Sequence, residues 1–196
     1  MRTGGSLYAA AVMMAALLAS CAQNINSRYQ IAENPLTTEV RDRTRTAKLY
    51  QDVDTILILD AFVDDESLRK AWAADDAHRR NLGPNEAKAA QENVMKDDGS
   101  KVNFIMALYT AKDEWNDLAK ADSRWSVYLD THKGPVRPAS VSKITLDKFY
   151  LRDNLPFEPT FRRLYSVSFA KNAIGNAPYR LVMSGQLGET SLYWEK

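Results

Sequence analysis

KLYQDVDTILILDAFV, Lys48 to Val63, decides how the rest of the chain is read. Its second half is almost wholly Ile, Leu, Val, Ala and Phe, and the run holds neither glycine nor proline. So apolar and β-branched a stretch reads as a long strand buried on both faces at its centre. The residues that follow change character at once. Asp64-Asp65 offer a helix N-cap, and Glu66 places a carboxylate in the first turn. Leu68, Ala71, Trp72 and Leu82 form an apolar stripe on the polar segment DESLRKAWAADDAHRRNL. Gly83 stops this helix and Pro84 starts the next, each at the helix end its backbone angles favour. In PNEAKAAQENVMKDD the stripe is Ala87, Ala90, Val94 and Met95. These two segments predict a helical hairpin inserted across residues 64–98.

Beyond Asp98-Gly99 the pattern is that of strands. KVNFIMALYT (Lys101 to Thr110) is a buried strand, and DEWNDL (Asp113 to Leu118) a short helical turn. WSVYLD alternates, with Trp125, Val127 and Leu129 on one face. HKGPVRP, His132 to Pro138, reads as a loop leading to the strand VSKITLDKFY. A crossover containing LPFEP leads to RLYSVSFA, where Tyr165, Val167 and Phe169 share a face. NAIGNAP is a turn before YRLVMSGQL and TSLYWE. The fold class expected is therefore mainly β with inserted helices: an antiparallel, Ig-like β-sandwich of about seven strands, with the helical hairpin after the first strand.

Ahead of this domain, Met1 and Arg2 precede small and polar residues and then an apolar core from Leu7 to Leu18, the three-part pattern of a secretory signal. At roughly a dozen residues the core is shorter than the ~20 that a transmembrane helix requires. It ends in Leu18-Ala19-Ser20-Cys21, which resembles the lipobox of bacterial lipoproteins. The resemblance covers this N-terminal segment alone. It implies that the Cys21 thiol receives a diacylglyceryl group, that a dedicated peptidase cuts before it, and that the new amino group is acylated in turn. Residues 1–20 are then the signal peptide, and palmitate-type chains hold the mature protein at the membrane. Two or three chains, at about 0.8 kcal/mol per buried methylene, make such an anchor effectively permanent. Ala22 stands where an aspartate would signal inner-membrane retention, so the expected location is the cell envelope, on the outer membrane and facing the periplasm.

Residues 21–39 are expected to be a polar tether, interrupted by Asn34-Pro35, and residues 40–196 a single globular domain. In VRDRTRT, Val40 to Thr46, the arginines at 41, 43 and 45 would point one way if the segment were extended, either as a solvated edge or toward lipid headgroups. The mature chain of about 175 residues suits one well-buried core. Loss of Arg2 with the signal reduces the basic residues from 26 to 25, equal to the 25 acidic ones. That neutrality argues against nucleic acid as a partner, since its backbone is met with a broad positive field.

Familiar catalytic patterns are missing. The only cysteine is committed to lipid, no GxSxG occurs, and the glycines of SGQLGET lack the lysine and helix of a phosphate loop, so they read as a bulge or hairpin turn. His78 and His132 lack paired ligand spacing, so no zinc site is expected. Asp60, Asp64 and Asp65, and the pair Asp75-Asp76, lack the spacing of a calcium loop. No metal or other cofactor is called for. The tryptophans Trp72, Trp115, Trp125 and Trp194 resemble, in composition only, the inventory of β-sandwich carbohydrate-binding modules. Three lie in apolar patterns that imply core packing, whereas Trp115, in AKDEWNDLAK, is flanked by carboxylates and an amide and is the possible ligand-binding residue. The leading expectation is a non-enzymatic envelope lipoprotein that binds a protein partner or a wall component. Glycan binding is one alternative, and a hydrolase whose site is assembled from scattered carboxylates is another.

Overall fold

The run from Lys48 to Val63 folds as parts of two strands rather than as one. The computed structural model describes residues 35–94, 99–145, 155–157 and 161–195. Strands β1 (Arg45–Gln51) and β2 (Asp54–Asp64) pair as an antiparallel hairpin. The break falls at Asp52, whose φ of +54° is left-handed. Aspartate tolerates that conformation better than most residues, so the turn needs no glycine and leaves little trace in the sequence.

Helices α2 (Glu66–Arg79) and α3 (Pro84–Val94) follow β2, within the span expected for the insertion. Asp65 is the N-cap of α2 and accepts the Leu68 N–H at 2.9 Å. Leu68 is buried against the sheet, while Ala71 and Trp72 pack against the same cluster half-buried.

The remaining strands are β3 (Lys101–Thr110), β4 (Trp125–Thr131), β5 (Gly134–Val136), β6 (Ser140–Ile144), β7 (Arg163–Ala170), β8 (Tyr179–Gly185) and β9 (Gly188–Trp194). They build two antiparallel sheets, one in the order β1-β2-β3-β7-β6 and the other β5-β4-β8-β9. The fold is thus the expected mainly-β sandwich with a helical insertion, although the described residues form nine strands rather than about seven and the helices come after the second. One added strand is β1, and the other is β5, hidden in HKGPVRP because Gly134 and the flanking prolines give a loop-like composition.

Alternation decides which face each residue joins. Leu57, Leu59 and Ala61 of β2, Phe104, Met106 and Leu108 of β3, and Tyr165, Val167 and Phe169 of β7 meet Trp125, Val127 and Leu129 of β4 and Leu181 and Met183 of β8 in one buried cluster. At about 25 cal/mol per Å² of apolar surface removed from water, this cluster is the main source of stability. The outer face of the five-stranded sheet carries a second cluster, in which Phe62, Ala107 and Leu164 lie under Leu68 and under Leu36 and Val40 of helix α1 (Pro35–Arg43). Helices, one sheet and the other sheet therefore form three layers.

Helix α1 differs from the sequence reading in two respects. The compact unit begins at Pro35, so residues 35–39, assigned to the tether, belong to it through the buried Leu36. Arg41 and Arg43 lie on the helix and only Arg45 in a strand, so the three arginines do not share an extended face. Leu36 and Val40, four residues apart, supply the helical stripe, and Pro35 suits its first position. Cys21, Leu18, Ala19 and Ser20, with the signal and the rest of the tether, lie outside the described residues, as do Met95 and the second half of VSKITLDKFY, residues 146–150. No helix among the described residues is long and apolar enough to cross a membrane.

The β8–β9 turn explains SGQLGET. Gly185 and Gly188 are paired across a tight hairpin. A Cβ on Gly185 would stand 2.5 Å from the Arg124 carbonyl oxygen, and Gly188 has a φ of +134°, so each position requires glycine.

Candidate functional site

One end of the sandwich is built where β2 and β7 stop, β3 starts, and β9 finishes. There the chain forms a cleft of about 700 Å³, inside the range of roughly 300–1,000 Å³ usual for ligand sites. Beneath it Phe104 makes edge-to-face contacts with Phe169, Tyr179 and Trp194 at centroid distances of 5.7, 5.9 and 5.2 Å. Such contacts stiffen the base of the cleft. Val63, Val102 and Tyr179 are its apolar lining. Burial pushes the Tyr179 phenol above its usual value, and its hydroxyl donates to the Gly175 carbonyl at 3.2 Å.

The acidic wall is the β2–α2 junction, and its charges are matched from within the fold. Asp65 receives Arg43, which also reaches Glu39 at 2.8 Å and Ser67 at 2.6 Å. Burial works against the Asp65 charge, but the Leu68 N–H, with Arg43 and Ser67, outweighs it and holds the carboxyl below the usual carboxylate range. Arg69 lies 3.9 Å from Asp64, Lys70 pairs with Glu66 at 2.8 Å, and Arg41 sits 3.6 Å from Asp42. The Trp194 indole donates to the Arg43 carbonyl at 3.0 Å, which fastens the end of α1 to the last strand.

The basic wall is different. Lys101 faces Ala170 across β3 and β7, and the Lys171 N–H donates to the Ser100 carbonyl at 2.8 Å, so the two lysines leave neighbouring strand ends together. Arg45 donates to the carbonyl oxygens of Asp42 at 2.9 Å and Thr44 at 3.1 Å. Among the described residues none of these three cations has a carboxylate within ion-pair distance. A second cavity of about 510 Å³ lies across the loop Gly175 to Pro178, lined by His132, Lys133, Asn172, Arg180 and Tyr193 among others. Arg180 is paired there with Asp130 at 2.9 Å.

Trp115, the residue singled out from sequence, lies at the opposite end. It closes the 3-10 turn Asp113–Trp115 and packs half-buried against the main core. The Lys112 ammonium stands 4.9 Å from the centre of its ring, and its carbonyl accepts the Trp125 indole N–H at 2.9 Å. The space beside it measures about 50 Å³, well under what a sugar ring needs. Trp125 and Trp194 are core residues, and Trp72, on α2, is half-buried against the outer cluster.

The histidines are both exposed, His78 on α2 and His132 between β4 and β5. Nor do the carboxylates grouped from sequence converge. Asp60 points to the outer face of β2, where it is buried and paired with Arg162 at 2.8 Å, while Asp64 and Asp65 serve the α2 junction. Asp75 and Asp76 pair with Arg79 and Arg80 one turn on, at 3.0 and 3.1 Å. Among the described residues no group of three His, Cys, Asp or Glu could hold a metal ion.

Sequence reasoning missed Lys101, Lys171 and Tyr179. Only Arg45 was singled out, as part of a basic run. Comparison with family models, curated proteins and solved structures finds no match to this chain.

Proposed function

We propose that this chain is a lipid-anchored envelope protein whose sandwich domain binds a protein partner or a wall component and performs no catalysis itself. The observation that carries the reading is Leu18-Ala19-Ser20-Cys21 behind an apolar segment of signal length. The end cleft supports the binding part of it. Its acidic wall is held ionised by capping and ion pairs, an arrangement that preserves shape and charge and does not suit a carboxyl meant to exchange protons. The outer membrane, facing the periplasm, is the location that Ala22 favours.

Cys21→Ser tests the anchor, because a hydroxyl cannot stand in for the thiolate as lipid acceptor. The variant accumulates as unprocessed precursor and takes up no labelled palmitate in the native host. Labelling at the level of the unaltered protein would overturn the lipoprotein reading. Crosslinking in intact cells, with capture through the end cleft, identifies the partner.

A further inference from the structure

We propose that the end cleft is a binding site for an anionic group, a phosphate or a carboxylate carried on a compact ligand, held by Lys101, Lys171 and Arg45. This names the chemistry of the docking site inferred above, and it is independent of the anchor at Cys21.

Three observations carry it. The β3–β7 register brings two lysines to adjacent strand ends, and both line the cleft. Among the described residues no ion pair of the fold uses either ammonium, so both charges are available to a ligand. The guanidinium of Arg45 is steadied by two backbone carbonyls, and among the described residues no carboxylate pairs with it, which fixes its position and leaves its charge for a ligand. The acids of the same cleft are, by contrast, each matched with a cation of the fold: Asp65 with Arg43, Asp64 with Arg69, Glu66 with Lys70 and Asp42 with Arg41. Among the described residues the electrostatic surplus in the cleft is therefore positive, although the mature chain as a whole is neutral.

The apolar lining sets the second requirement. Val63, Val102 and Tyr179 offer a face for a hydrocarbon or ring portion beside the charged group, and about 700 Å³ admits a ligand of sugar-phosphate or dicarboxylate size. A lysine pair recognises such oxyanions as point charges, and an arginine adds directional N–H donors.

The test uses the full chain carrying Cys21→Ser, so that no acyl chain enters the measurement. Calorimetric titration with sodium tripolyphosphate and with citrate represents the soluble source of the anion. Co-sedimentation with phosphatidylglycerol vesicles, against phosphatidylcholine vesicles, represents a lipid headgroup. The expected result is saturable binding of at least one of these probes that weakens steeply with added salt. The double substitution Lys101→Gln with Lys171→Gln should lower that affinity about tenfold or more, whereas Lys120→Gln at the other end leaves it unchanged. Both cleft lysines are exposed, so the double variant keeps the melting temperature of its parent, and Lys171→Arg retains binding. Binding of tripolyphosphate or citrate assigns a soluble ligand, and binding of phosphatidylglycerol alone assigns a headgroup. Failure of every probe to bind at 50 mM salt, or equal binding by the double variant, would overturn the proposal. Neither result bears on the palmitate labelling that tests the anchor.

Discussion

The indole N–H of Trp125 donates to the backbone carbonyl of Trp115 across 2.9 Å, so the 3-10 turn after β3 is latched to the first residue of β4. The latch turns the Trp115 ring inward against the core and gives Lys112 its outer face. Trp115→Ala should therefore destabilise the fold by about 2 kcal/mol, less than the roughly 3–5 kcal/mol of a fully buried tryptophan. Urea unfolding followed by far-ultraviolet circular dichroism measures this. A variant as stable as its parent, with reduced retention on a glycan column, would instead return Trp115 to the role of a sugar platform.

Tyr165 and Asn116 form a buried polar joint between β7 and the connection after β3. The Tyr165 hydroxyl lies 2.9 Å from both the carbonyl and the side-chain oxygen of Asn116, while the Asn116 amide donates to the Leu108 carbonyl at 2.6 Å. Tyr165→Phe removes one donor and strands acceptors away from water, a loss of about 1–3 kcal/mol. The urea midpoint should fall with an unchanged slope, because the exposed area on unfolding is the same.

Asp60 and Arg162 are a pair whose side chains are only 5% and 16% exposed. Asp60→Ala takes the carboxylate away from a buried guanidinium and should cost about 3–5 kcal/mol, whereas Asp60→Leu combined with Arg162→Met should cost far less. Chemical denaturation of both variants separates the two outcomes. A mild effect of the single substitution would mean that water reaches the pair.

The displaced titrations define a stability window. Burial raises the phenols of Tyr165 and Tyr179, so the unfolded chain loses those protons first and stability declines as pH climbs above about 10. The Asp65 carboxyl is lowered in the fold, so its contribution is complete above about pH 4 and is lost as pH falls further. Denaturation midpoints at pH 3, 7 and 10.5 trace both limbs, and Asp65→Asn should flatten the acid one.

Local pattern was enough for the parts of the fold whose residues alternate. Trp125, Val127 and Leu129, and likewise Tyr165, Val167 and Phe169, are buried together as their spacing implies, and Asp65 caps α2. Where a single residue broke the pattern it passed unseen, as at Asp52, because a left-handed aspartate is chemically indistinguishable from a polar residue in a strand. Helix α1 had a legible stripe in Leu36 and Val40, but the alternating arginines competed with it. The cleft was beyond local reading altogether. Lys101 and Lys171 become neighbours only through strand pairing between distant segments, and pairing register depends on the whole core.

The bond from Trp194 to the Arg43 carbonyl joins residues 151 positions apart. With Arg43 also gripping Glu39, Asp65 and Ser67, the first helix and the last strand are fastened to one another rather than hanging from the sheet separately. A pull on the chain ahead of Pro35 would load Leu36 and Val40 first and reach this joint last, because Arg43 is the final residue of the helix. The domain is closed like a buckled strap, with Arg43 as the clasp between α1 and β9.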